Sequence, residues 1–111
     1  MNKRKNLGQH FLKSEAIAKS IVSNARITKR DVVLEIGTGH GILIPYICKN
    51  AKQVYSIESD EILYNSAKSS FDYSNLILEH GDGFNSGHNF SIFISNLPYS
   101  KSRFALSLIH I

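Results

Sequence analysis

A chain of 111 residues, 42% hydrophobic and 20% charged, has the composition of a single globular domain with one small core. No apolar run approaches the roughly 20 residues that cross a bilayer, the N-terminal MNKRKNLGQHF lacks the apolar stretch of a secretory signal, and the single cysteine, Cys48, leaves no internal disulfide to form; the expectation is a cytoplasmic protein with no membrane contact. The formal charge of +4 is uneven: residues 1–30 carry eight Lys or Arg against Glu15 alone, a net +7, and residues 31–111 carry five bases against eight acids, a net −3.

Taken in chain order, the sequence opens on a basic arm that suits a polyanion and equally suits a solvated tail. Ser14 is a good N-cap, and Ile17, Ile21, Val22 and Ala25 recur at helical spacing, so residues 15–25 read as an amphipathic helix. VVLEI (32–36) is a short β-branched run, read as a buried strand, and GTGHG (37–41) is a glycine-rich turn. Residues 42–50 read as a helix that tolerates Pro45 only in its first turn. Cys48, among apolar neighbours, reads as a small core residue and not a nucleophile. VYSIE (54–58) is a second strand, and Asp60 caps a helix over 61–70. LILEH (76–80) is a third strand, closed by GDG at 81–83. SIFISNL (91–97) is a fourth, and SRFALSLIHI is expected to begin another helix. Strands alternating with helices at this spacing imply right-handed crossovers and a parallel sheet, an α/β fold.

In an open parallel sheet, ligands bind at the carboxyl ends of the strands. Gly37 to Gly41, Glu58, Asp82 and Asn96 each follow a strand, so they converge on one edge. The glycine loop departs from the dinucleotide fingerprint, which needs a glycine where Ile42 stands. A G-x-G-x-G turn still lets a ligand pass close to the backbone at Gly37 and Gly39. Glu58 is spaced to accept from both hydroxyls of a ribose, or else is a solvated carboxylate at a strand end. Asp82 is placed to accept from an adenine amino group, or is simply a turn residue between glycines. SNLPY (95–99) offers more. The exocyclic nitrogen of adenine is a poor nucleophile because its lone pair is delocalised into the ring. The Asn96 side-chain oxygen and the Leu97 carbonyl would accept hydrogen bonds from that amino group, Pro98 would fix the turn, and Tyr99 would stack on an extruded base.

LGQHFL (7–12), VLEIGTGHG (33–41), SIES (56–59), HGD (80–82) and SNLPYS (95–100) resemble, in order, the successive motifs of the ribosomal RNA adenine dimethylases. These enzymes convert two adjacent adenines near the 3′ end of small-subunit RNA to N6,N6-dimethyladenine. The resemblance implies a Rossmann-like methyltransferase fold, S-adenosylmethionine as methyl donor, the small ribosomal subunit as partner, and no metal. Carried over by motif, it makes His10, Leu12, Gly37, Gly39, Glu58, Asp82 and Asn96 cofactor contacts, with Asn96, Leu97, Pro98 and Tyr99 holding the target base. It also divides the chain into a basic arm over 1–13 and a cofactor-binding core over 14–111. The family continues with three further strands and a helical domain. The expected strand order is therefore 3-2-1-4, truncated after the fourth strand, whose far edge would be unpaired. Two rival readings are the related erythromycin-resistance type, which methylates large-subunit RNA, and a non-catalytic remnant. Leu97 within SNLPYS favours the small-subunit type.

Overall fold

The computed structural model describes residues 15–99 and 103–110, with the backbone alone for 96–99 and 103–110. The first described element is a helix over 15–25, α1. Its buried stripe is Ala18, Val22 and Ala25, whereas Ile17 is 56% exposed and lies off the packed face. Four strands follow at the expected places: β1 (Val32–Ile36), β2 (Gln53–Glu58), β3 (Leu76–His80) and β4 (Ile92–Tyr99). Between them stand α2 (Ile44–Asn50), α3 (Glu61–Ser70) and a 3-10 turn at Gly83–Asn85. Helix α2 starts two residues later than its pattern suggests. Gly41 and Ile44 first close tight turns by donating to Thr38 and Gly41, and Pro45 falls in the first helical turn, where no backbone donor is needed. Asp60 caps α3 by accepting from Leu63 N–H at 3.0 Å.

The sheet order is β3-β2-β1-β4-β5, and the first four strands are parallel. The fifth corrects an expectation. The segment read as the start of a helix is a strand, β5 (Arg103–His110), antiparallel to β4 from Ile92↔His110 to Tyr99↔Arg103. The edge of β4 is accordingly paired and not open. A short apolar run such as FALSLI does not declare its period. Beside it lies a strand apolar on both faces, whose backbone groups need partners. Pairing with that neighbour settles the ambiguity in favour of a strand.

The sheet is apolar on both faces, as a parallel sheet requires. On one face Val33, Val54, Ile92 and Ile94 pack against Ala18 and Val22 of α1 and Ile44, Ile47 and Cys48 of α2. The other face holds a smaller cluster of Leu34, Ile36 and Ile57 with Tyr55, Phe90 and Phe93. No helix among the described residues is long and apolar enough to cross a membrane.

Candidate functional site at the carboxyl edge of the sheet

Backbone hydrogen bonds stitch together the loops that leave β1, β2 and β3. Gly37 N–H donates to the Ile57 carbonyl at 2.8 Å, and Gly81 N–H donates to the Glu58 carbonyl at 3.0 Å. The three glycines of the first loop all have positive φ, 90° at Gly37, 59° at Gly39 and 78° at Gly41, but they serve different ends. A Cβ on Gly41 would meet the Phe71 ring at 2.2 Å, so this glycine admits the close approach of that ring to the start of α2. A Cβ on Gly39 would meet nothing within 4 Å. Gly39 therefore presents bare backbone to open space, the condition a ligand needs for close approach.

Glu58 is not a solvated strand-end carboxylate. It is only 6% exposed; one oxygen accepts from Gly39 N–H at 2.7 Å and the other from Asp60 N–H at 2.9 Å. The carboxylate thus ties the open glycine to the cap of α3 and keeps acceptor lone pairs at that place. Asp82, by contrast, is exposed and caps a turn. It accepts from Phe84 N–H at 3.0 Å and from the Asn85 side chain at 2.9 Å, capping the 3-10 turn.

A buried polar chain behind the glycine loop was not among the sequence candidates. Glu35 is fully buried on β1, the Ser56 hydroxyl donates to its Oε1 at 2.5 Å, and the Thr38 hydroxyl lies 2.6 Å from that of Ser56. Its Oε2 has no hydrogen-bond partner among the described residues. Desolvation raises its pKa from 4.5 to about 7, the Ser56 bond opposes this, and the charge of Glu58 adds to it. The one signal in the sequence is a glutamate interrupting an otherwise apolar buried strand, VVLEI.

The SNLPY segment also sits differently from its reading as a loop after the strand. Asn96 to Tyr99 continue β4, paired with Leu106, Ala105, Phe104 and Arg103. Strand β1 pairs with β4 only as far as Ser95. Beyond that point β4 has a partner on one side, which makes room for a proline. His10 and Leu12, together with the basic arm, lie outside the described residues. Among the described residues, no group of three or more His, Cys, Asp or Glu is placed to hold a metal ion.

A parallel sheet ordered β3-β2-β1-β4, with a glycine loop after β1 and an acid closing β2, is the Rossmann-like fold of S-adenosylmethionine-dependent methyltransferases. The family model for ribosomal RNA adenine dimethylase matches residues 1–106, and the chain belongs to that family. It is 39% identical over 97 residues to a probable ribosomal RNA small subunit methyltransferase A of Thermococcus onnurineus, a match covering 86% of this chain and 36% of the relative. Among solved structures, a dimethyladenosine transferase from Plasmodium falciparum superposes with a TM-score of 0.68 at 32% identity, over 78% of this chain and 33% of that one. The 23S rRNA methyltransferase ErmE gives 0.67 at 26% identity, over 77% of this chain and 36% of that one. The chain thus spans about a third of the length of these relatives. Fold similarity alone does not separate the two RNA methyltransferases; the higher identities belong to the small-subunit type.

Proposed function

We propose that the chain forms the cofactor-binding part, and carries the target-base motif, of an enzyme that methylates N6 of adenine in small-subunit ribosomal RNA with S-adenosylmethionine as donor. The observation that carries this reading is the Glu58 carboxylate, buried at the strand end and fastened to the N–H of Gly39, whose outer face is open. A nucleoside fits such a place: the acid accepts from its ribose hydroxyls and the bare loop lies against its methionine end. Asp82, two residues beyond β3 and exposed, accepts from the adenine amino group. The names of the small-subunit relatives support the choice of RNA substrate, and the net +7 of residues 1–30 supports a polyanionic partner.

S-adenosylmethionine supplies an electrophilic methyl group when bound. The chain's own part is to make the target nitrogen nucleophilic. In this reading the Asn96 side chain and the Leu97 carbonyl accept both amino hydrogens of the target adenine. The nitrogen is pulled toward a tetrahedral form, and its lone pair faces the donor. Tyr99 stacks on the extruded base, whose removal from its helix costs a few kcal/mol that stacking offsets. His10 and Leu12 complete the cofactor contacts from the arm. The test is methyl transfer to unmodified small-subunit RNA, read by mass spectrometry of the nucleosides. N6,N6-dimethyladenosine is expected, lost when Asn96→Ala is introduced. Methylation at any other atom, or in large-subunit RNA alone, would contradict the assignment.

A further inference from the structure

A groove separates α1 from α2 on the helical face of the sheet, with a volume of about 540 Å³. Lys19 and Arg26 line it from the α1 side, Lys49 from α2, and the half-buried ring of Tyr46 forms part of its wall. No carboxylate lines it. Among the described residues the sole ion pair joins His88 to Glu79, on a different part of the sheet, so none of these three cations is neutralised by a described acid. Lys19 Nζ stands 5.9 Å from the centre of the Tyr46 ring.

Arg26 makes the groove unusual. It follows directly on α1 with φ of 53°, the only non-glycine among the described residues in the left-handed region. Glycine or asparagine takes that place at least cost, since a branched or long side chain there is strained by roughly 1 kcal/mol. Burial gives no compensation, because Arg26 is exposed.

We infer that this groove binds the phosphodiester backbone of RNA, a contact separate from the target-base site. The occupant follows from the chemistry: three unpaired cations for phosphate oxygens, with an aromatic ring on which a base or ribose can lie. An anionic lipid surface fits less well, because the wall carries no exposed large apolar side chain. Helix α2 starts three residues after the glycine loop, so an RNA strand lying in the groove leads toward the cofactor edge. The inference rests on the proposed RNA substrate.

The experiment is fluorescence anisotropy of the chain with a labelled oligoribonucleotide copying the 3′-terminal stem-loop of small-subunit RNA, over a series of salt concentrations. The variant is Lys19→Gln/Arg26→Asn/Lys49→Gln, and all three positions are exposed. It is expected to bind at least tenfold more weakly, with the log–log salt slope reduced by about two, while S-adenosylmethionine affinity and thermal unfolding stay unchanged. Arg26→Asn alone suits the backbone at that position, so it reports even if the triple variant fails to fold; its slope should fall by about one. RNA binding with an unchanged slope in both variants would overturn the groove and leave the functional reading standing. Failure of the wild-type chain to bind this RNA would overturn both. Loss of binding to phosphatidylglycerol vesicles with RNA binding intact would give the groove to lipid instead.

Discussion

Glu35 makes the folded protein sensitive to pH in a direction opposite to that of most carboxylates. Its folded pKa lies near 7 against an ordinary 4.5, so between those values the folded state holds a proton that the unfolded state has released. Stability is then fully present below about pH 4.5, falls as the pH rises through the window, and levels off above about 7. At about 1.4 kcal/mol for each tenfold difference in proton affinity, the displacement corresponds to roughly 3 kcal/mol. That is a large share of the roughly 5–15 kcal/mol that holds a small domain together. Glu35→Gln keeps the shape and an acceptor for Ser56 but cannot ionise. The measurement is urea unfolding followed by circular dichroism at pH 4.5, 6 and 8 for both proteins. Relative to wild type, the Gln variant should gain about 3 kcal/mol between the first pH and the last. Parallel pH curves for the two proteins, or a gain in the other direction, would refute the claim that a buried carboxyl behind the glycine loop carries the proton.

Three further outcomes concern the glycine loop and the core. Gly41→Ala should destabilise the fold by about 2 kcal/mol or more, since the new Cβ collides with the Phe71 ring. Gly39→Ala meets no atom, and should cost only the roughly 1 kcal/mol of a left-handed alanine while weakening S-adenosylmethionine binding; thermal unfolding and titration of the pair separate the two roles. Burial, helped by the charge of Glu35 and opposed by Lys29, pushes the Cys48 thiol up to about 12. Iodoacetamide at pH 8 should therefore leave native Cys48 unmodified and label it readily in urea; quick labelling of the native protein would contradict its place in the core.

The positions of the first four strands were legible because each is a β-branched or aliphatic run bounded by strong punctuation: Asp31 and Gly37 about β1, Asp60 after β2, Gly81 after β3. Legible for the same reason was the convergence of the glycine loop and Glu58 on one edge. Direct geometry was not. Nothing local distinguishes Gly41, which answers to a ring 30 positions later, from Gly39, which answers to open space. Glu35 looked like one more residue of a strand because its significance lies in Ser56 and Thr38, brought to it by the β1–β2 register. RFALSLIH misled because its apolar residues suit either period, and the unsatisfied edge of β4 decides between them. Arg26 gave no signal at all, since a left-handed backbone at a non-glycine residue is written only in coordinates.

Whether the edge built around Gly39 and Glu58 is an S-adenosylmethionine site is decided by titration calorimetry of the chain with that cofactor. One-site binding is expected, not reproduced by NAD or ATP. Glu58→Ala should weaken it by about 1.5–3 kcal/mol, the loss of charge-assisted hydrogen bonds to the ribose. Glu58→Gln, which keeps an acceptor, should fall between the two. No binding by the folded wild-type chain, or equal affinity in all three proteins, would contradict the account.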